Sequence, residues 1–514
     1  MKIVTAAEMR DIDRATTELF GVPSQELMEN AGSAVAEFVL ERFPHAERIQ
    51  VVCGRGNNGG DGFVAARKLQ EAGKQVSVLL LAEAADVKGD AAAMLKRLTH
   101  YPQIMRSVGD VERHKWAEAD LFIDAILGTG SHGPAEGAYA LAIQKLNESG
   151  TPIVSVDIPS GALADGMQPS PEPVVHANAI VTFTALKPAH VFQFDSVPIA
   201  LKQIGTPEEA IVSPSNLNLI TPRDYATLLA PRNPDSHKGL FGHVLVLGGS
   251  LGKAGAAAMA GMAALRAGAG LVTVGTPKSV QGTVAGFAPE LMTDGLAETE
   301  QGTFSILALE ALRKFSDSKN VAAIGPGISD DREAAQFVRA MLDRSQLPVV
   351  LDADGLNAYK DHREYLNGNN RPLVITPHPG EMSRLTGLST QEIQKDRIGV
   401  ARKYAREHKA YVVLKGYRTI LAEPGGRVWI NNTGNPGMAT GGTGDILTGL
   451  IAGLIAQLPQ NIATAVIAGV HLHGMAGDLV RDEIGEASLI ATDLLLALPQ
   501  AFRKAASSLD ADIL

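Results

Sequence analysis

The segment Thr433-Gly434-Asn435-Pro436-Gly437-Met438-Ala439-Thr440-Gly441-Gly442-Thr443-Gly444-Asp445 concentrates the chemistry of the second half of the chain. Glycines this dense leave backbone N–H groups bare, and at a helix start such groups form a hole for phosphate. Asp445, at the phosphate-acceptor junction, is placed to take the proton of a substrate hydroxyl as it attacks phosphorus. A glycine-rich helix entry capped by Asp445 is the plainer reading, but a cap needs one such residue and not a run of glycines. Further polar segments stand where strands are expected to end: Gly325-Pro326-Gly327, Asp352-Ala353-Asp354, Pro377-His378-Pro379-Gly380-Glu381 and Lys415-Gly416-Tyr417-Arg418-Thr419. The last is suited to a nucleotide phosphate or base, and Glu381 to a magnesium ion held through water. His378 by itself reads as a turn histidine; its proline and glycine neighbours favour a ligand contact. His471 and His473 resemble a metal pair but lack a further ligand set, which favours helix packing.

The first half carries a different set. Gly54-Arg55-Gly56-Asn57-Asn58-Gly59-Gly60-Asp61-Gly62 contains G-x-G-x-x-G between an expected strand and an expected helix. Asp61 at the helix start would repel a pyrophosphate, so the segment reads as presenting Asn57, Asn58 and Asp61 for hydrogen bonds or a cation, or as a tight turn with Asp61 as cap. Asp124, Gly128–Pro134, Asp157 and Ser160 fall at neighbouring strand ends. Each aspartate alone suits a cap or turn. Together with Asn58 they converge over one crevice, and their oxygen-only character suits a hard cation.

The elements that must position these groups alternate. In the first half, helices are expected at about 5–19, 24–43, 63–70, 91–98 and 138–147, and strands at 49–53, 76–81, 121–126, 153–157 and 180–184. Strand, glycine-rich turn and helix in repetition imply a parallel sheet covered on both faces, with ligands at the carboxyl ends of its strands. The pattern lapses between about Val212 and His237 in a run of Pro, Ser and Asn, which sets a domain boundary near residue 220. It restarts with strands at 243–247, 271–275, 321–324, 349–352, 373–376 and 411–414, an alanine-rich helix at 254–267, a hairpin from 419–422 to 428–431, and an apolar helix at 446–458. Two α/β domains follow, 1–220 and 221–514, the first a Rossmann-like three-layer α/β/α domain.

Composition limits the alternatives. The 514 residues are too many for one ordinary core. A formal net charge of −10 gives no electrostatic footprint for nucleic acid or an anionic membrane. Cys53 is the single cysteine, which excludes an intramolecular disulfide and a thiolate metal cluster. No signal core, presequence or uninterrupted apolar run of about 18 residues is visible, so a cytoplasmic protein is expected, without a membrane partner.

These motifs carry a family resemblance. Residues 1 to about 220 resemble the NAD(P)HX epimerase domain, through Leu27-Met28-Glu29-Asn30-Ala31-Gly32, Asn57–Gly62, Asp124–Gly130 and Asp157-Ile158-Pro159-Ser160-Gly161. The remainder resembles the ADP-dependent NAD(P)HX dehydratase domain of the ribokinase-like superfamily, through Gly325–Gly327, Pro377–Glu381, Lys415-Gly416 and Asn435–Asp445. The resemblance implies the substrate: NADH or NADPH hydrated at C6, whose R and S forms the first domain interconverts. The second domain would phosphorylate the S hydroxyl from ADP, with magnesium, and phosphate would then leave. It further implies that Asn57, Asn58, Gly59, Gly60, Asp61, Gly128, Thr129, Gly130, Ser131, His132, Gly133, Pro134, Tyr139 and Asp157 bind the hydrate in the first domain. Asn58, Asp124 and Ser160 would hold potassium there. In the second, Ala256, Gly327, His378 and Asp445 would contact the hydrate. Lys415, Gly416, Tyr417, Arg418, Thr419 and Gly444 would bind the adenine nucleotide. Asp157 is the expected acid/base of epimerisation and Asp445 the expected base of phosphoryl transfer; a homo-oligomer is expected.

Two other readings remain at this point. A ribokinase-like kinase for a small alcohol would release a stable phosphorylated product. A first domain acting as a nucleotide-dependent interaction surface would have no epimerase activity, although Asn58, Asp61, Asp124, Asp157 and Ser160 standing together speak against a decayed site.

Overall fold

A computed structural model describes residues 1–130, 133–315 and 318–509. The chain forms two compact units, Met1–Asn216 and the residues from Leu217 onward.

In the first unit the strands lie in the order Gln103–Ile104, Gln75–Leu80, Arg48–Cys53, Leu121–Ala125, Ile153–Val156, Ala179–Phe183 and Ile199–Lys202, all parallel. The central strands are buried along their whole length, which is why they read as unbroken Val/Ile/Leu runs. The order turns back beside Arg48–Cys53, and the crevice at this reversal is where a parallel sheet binds ligands. The first helix, Ala6–Glu18, opens with the expected capping box: Thr5 accepts from the Glu8 N–H, and Glu8 accepts from the Thr5 N–H.

One expectation fails here. The segment placed in a loop before a helix at Phe63 is itself helical: the helix runs Asn57–Glu71 with Gly56 at its N-cap, so Asp61 is not the cap. Three glycines in one turn argue against helix by propensity, but packing requires them. A Cβ on Gly59 would lie 2.0 Å from the Gly54 carbonyl oxygen, so only glycine lets this helix sit against the strand it follows. The edge strands Gln103–Ile104 and Ile199–Lys202 were not expected; both are short or half-exposed and lack the buried apolar signature.

In the second unit the order is Leu217–Leu219, Val428–Ile430, Ile420–Ala422, Tyr411–Leu414, Leu373–Ile375, Val349–Leu351, Val321–Ile324, His243–Leu247, Leu271–Pro277 and Met292–Leu296. The sheet is mixed. The expected hairpin is antiparallel within itself and to Tyr411–Leu414, and the rest of the pairings are parallel. The helix that carries Asp445, Thr443–Gln457, lies against the alanine-rich Ala254–Arg266 helix. Gly449 makes the approach possible, because a Cβ there would meet the Ala260 carbonyl oxygen at 1.9 Å. The Ile462–Ile484 helix has the length and mean hydropathy of a membrane span, 1.2, but 72% of that window is buried inside the fold, as befits a core helix. His471 and His473 lie on it as packing histidines: His471 Nδ1 is 2.7 Å from the Tyr225 hydroxyl, and His473 Nε2 donates to the Thr443 carbonyl.

Candidate active sites in the two units

A cavity of about 510 Å³ opens at the carboxyl edge of the first sheet. Asn57, Asn58, Asp61, Gly128, Thr129, Gly130, Tyr139 and Asp157 all line it. Gly59 and Gly60 do not line it: both are buried and serve packing, Gly60 against Met28. Gly133 and Pro134 also lie outside the lining, and Ser131 and His132 fall outside the described residues. A larger hollow, about 960 Å³, lies at the amino edge of the same sheet, but its charges are already paired, as in Arg113 with Asp110.

Asp157 follows its strand in a left-handed conformation, φ 64°, uncommon for a residue with a side chain. Lys187 holds its carboxylate. The ammonium is 2.6 Å from Asp157 Oδ1 and 2.9 Å from the Thr182 hydroxyl, which itself donates to Asp157 Oδ1 at 3.0 Å. His190 donates from Nε2 to the Asp157 carbonyl, while its Nδ1 accepts from the Lys187 N–H. Burial pushes the Asp157 carboxyl up, but Lys187 and Thr182 more than offset it and hold it below the usual carboxylate range. His190 is neutral at ordinary pH, pushed down to about 4 by burial and Lys187.

The sequence reading overlooked Lys187 and Asp13. Lys187 follows the Ala179–Phe183 strand, at the same edge as Asp124 and Asp157, so its position was a usable signal. Asp13 sits between Met9 and Thr17 at four-residue spacing on the first helix, and all three line the cavity.

Asp124 and Ser160 are fully buried and do not line the cavity. Ser160 donates to Asp124 from its hydroxyl at 2.5 Å and its N–H at 2.9 Å, and Ser155 donates at 2.8 Å. The Leu127 N–H donates to the Ser160 hydroxyl oxygen, which ties this group to the Leu127–Gly130 turn. Asn58 is buried where that turn passes, and neither its Oδ1 nor its Nδ2 has a partner. A buried amide left unpaired is costly; Gly128 passes so close that a Cβ there would lie 3.2 Å from Asn58 Oδ1, and a buried oxygen without a donor suits an oxygen-ligated cation.

The second unit gathers its chemistry around Asp352, which ends the Val349–Leu351 strand. Lys415 donates to Asp352 Oδ1 at 2.8 Å, and the Thr448 hydroxyl donates to Oδ2 at 2.9 Å. Lys415 Nζ is also 3.7 Å from Glu381 Oε2. Gly444 sits over this pair, its Cα so close that a Cβ would lie 3.4 Å from Lys415 Nζ. Asp445 is in the first turn of its helix, beyond the Gly442 N-cap. Burial, with Asp352 beside it, pushes its carboxyl up to about 7 despite Lys415. Glu381 is raised by burial as well.

His378 caps the Pro379–Thr386 helix: its Nδ1 accepts from the Gly380 N–H, and its own N–H donates to Glu381 Oε2 at 2.7 Å. Its ring is half-exposed, with Nε2 3.6 Å from Glu381 Oε1. Gly327 and Ala256 are neighbours, since a Cβ on Gly327 would meet the Ala256 Cβ at 3.0 Å. The Lys415–Thr419 turn is fixed from behind: Arg397 donates to the Tyr417 and Leu414 carbonyls, and Arg418 donates to the Asn432 carbonyl at 2.7 Å. Lys415 is therefore committed through its side chain to the acid cluster, while Tyr417 stands exposed. Among the described residues no three His, Cys, Asp or Glu side chains form a metal cage.

Known proteins are similar to the chain over nearly its whole length. The family model of the NAD(P)H-hydrate dehydratase matches residues 244–500, and that of the YjeF-related protein N-terminus matches residues 24–189. The bifunctional NAD(P)H-hydrate repair enzyme Nnr of Moorella thermoacetica is 43% identical over 516 residues, covering 98% of this chain and 97% of that protein. Among solved structures, a ribokinase-like superfamily protein of Enterococcus faecalis V583 matches with 28% identity and a TM-score of 0.50, over 57% of this chain and 97% of that one. An ADP/ATP-dependent NAD(P)H-hydrate dehydratase from Bacillus subtilis, co-crystallised with ATP/Mg2+, matches with 33% identity and a TM-score of 0.48, over 56% of this chain and 99% of that one. The near-complete coverage by relatives bearing both domains decides the assignment: the chain belongs to the family of bifunctional NAD(P)H-hydrate repair enzymes.

Proposed function

We propose that the chain repairs NADH and NADPH hydrated at C6 of the nicotinamide ring, with epimerisation in residues 1–220 and ADP-dependent dehydration in residues 221–514. As a member of its family it is a bifunctional NAD(P)H-hydrate epimerase and dehydratase. The environment of Asp445 carries the finer reading. A carboxyl held near neutrality, beside a bare glycine turn and an acid cluster tied by one lysine, is suited to deprotonate an alcohol.

Hydroxide is a poor leaving group, so water cannot simply depart. Asp445 takes the proton of the C6 hydroxyl as its oxygen attacks the terminal phosphorus of ADP, and AMP is released. The N–H groups of Gly441, Gly442 and Gly444 steady the charge on the transferring phosphoryl group. The ring nitrogen lone pair then expels phosphate, and loss of a proton from the neighbouring carbon restores the dinucleotide. Ala256, Gly327 and His378 would seat the hydrate; Gly416, Tyr417, Arg418 and Thr419 would seat the adenine nucleotide with Lys415 beneath it. Magnesium would arrive with the nucleotide and meet Glu381 through water, where it would neutralise phosphate charge. In the first unit, Asn57, Asn58, Asp61, Gly128, Thr129, Gly130, Tyr139 and Asp157 would hold the hydrate. Asn58, Asp124 and Ser160 would hold potassium, whose fixed charge would steady the Asn58 turn. An acidic chain with one buried cysteine and ADP as co-substrate suits the cytoplasm.

The test mixes purified protein with hydrated NADH and ADP and follows the absorbance of reduced nicotinamide. Recovery that needs ADP is expected. A stable phosphorylated product without recovery would make the second unit a simple kinase.

A further inference from the structure

The first cavity holds more acid than this reading uses. Asp13 comes from the Ala6–Glu18 helix, Asp61 from Asn57–Glu71, and Asp157 from the turn after Ile153–Val156; all line one cavity with Lys187. Arg10, Arg55, Asp90 and Tyr139 are the other titratable groups on its wall. The Lys187 ammonium is committed to Asp157, Thr182 and the Phe183 carbonyl. Among the described residues neither the Asp13 nor the Asp61 carboxyl has a hydrogen-bond partner. The three carboxyls share one cavity wall on which the Lys187 ammonium pairs with Asp157 alone, so burial and the Asp157 charge favour the protonated forms of the other two. Burial and the Asp157 charge push Asp13 up to about 6, and burial with Asp157 and Asp13 pushes Asp61 much higher. Asp61 shares its direction of shift and lies on the glycine turn already assigned to hold the hydrate, whereas Asp13, on the Ala6–Glu18 helix, is left without a role and is pushed into the range of a proton donor.

We propose that Asp13 is a catalytic carboxyl of the epimerase, the proton donor to the departing C6 oxygen, set against the Asp157 carboxylate that Lys187 holds. The assignment rests on the epimerase reading above. The Asp13 carboxyl gives its proton to the C6 hydroxyl, the C6–O bond breaks as the ring nitrogen lone pair forms a C6–N double bond, and water is released. Water adds to C6 from the other face, the C–N π pair returns to nitrogen, and the proton of the incoming water passes to Asp157. Asp13 ends ionised and Asp157 protonated. The reverse turnover starts from that state, and exchange with solvent resets the forward one.

The test uses the full chain without ADP, so that dehydration is idle, and follows R-to-S conversion of hydrated NADH by chromatography across pH. For the wild-type chain, turnover falls as pH rises past about 6, where Asp13 ionises. Asp13→Asn lowers kcat on the order of 10²-fold with KM little changed and removes that alkaline fall; Asp13→Glu restores part of both. An Asn variant that keeps its rate overturns the proposal. So does one that loses rate while keeping the wild-type pH limb, or a loss that Glu does not rescue, either of which marks a merely structural residue. A wild-type chain that does not interconvert the hydrates would instead overturn the epimerase reading itself.

Discussion

Lys415 Nζ lies 2.8 Å from Asp352 Oδ1 at the carboxyl edge of the second sheet, with Glu381 Oε2 3.7 Å from the same ammonium. Asp352 is 1% exposed, so the pair is mutually dependent. Lys415→Met strands a buried carboxylate and should destabilise the second unit by about 3–5 kcal/mol, and Asp352→Leu in the same chain should recover part of it. Urea unfolding followed through Trp429 fluorescence checks both.

Asp445 works as a base only when ionised. Its carboxyl is pushed up to about 7, chiefly by burial and Asp352. The kcat/KM for ADP-dependent dehydration should therefore rise as pH climbs through about 7 and level off above it. Asp445→Asn should lower kcat by about 10²–10⁴-fold while nucleotide binding persists. A flat pH profile for the wild-type chain would remove Asp445 from this role.

Gly59 is fixed by the Gly54 carbonyl oxygen 2.0 Å from where its Cβ would be, whereas nothing lies within 4 Å of a Cβ on Gly56. Gly59→Ala should cost the first unit about 1–3 kcal/mol and reduce epimerisation. Gly56→Ala should leave the unfolding midpoint of that unit in place. Thermal unfolding of both variants makes the comparison.

The unpartnered amide of Asn58 predicts a cation response. Epimerisation should be faster in potassium than in a large organic cation at equal ionic strength, and Asn58→Leu should abolish the difference. Equal rates in both salts for the wild-type chain would leave the amide without that ligand.

Much of this was legible in the sequence because strand ends announce themselves. The central strands are buried apolar runs closed by Gly, Asp or Pro, so Asp124, Asp157, Asp352 and Glu381 could be placed at the carboxyl edges, and the glycine run marked Asp445 at a helix start. The helical start at Asn57 was hidden because propensity disfavours three glycines that tertiary packing demands. Lys187 and Asp13 were missed for a different reason. A lysine is expected at the surface, and only the fold shows that Asp157 makes burial of this one tolerable. Asp13 lies far in sequence from the glycine turns, on a helix whose capping box and apolar face already accounted for its pattern. The pairing of Lys415 with Asp352 was hidden likewise, because its side-chain partner comes from a strand end distant in sequence.

The central claim is that phosphorylation makes the C6 oxygen removable, and the fate of that oxygen tests it. Hydrated NADH carrying ¹⁸O at the C6 hydroxyl is incubated with the chain and ADP, and inorganic phosphate and the remaining hydrate are analysed together by mass spectrometry, because epimerisation exchanges the C6 oxygen with water. The account predicts that each phosphate released carries the C6 oxygen, so that its ¹⁸O fraction follows that of the remaining S hydrate, with AMP formed in equal amount. Unlabelled phosphate while the remaining hydrate still carries ¹⁸O would contradict it.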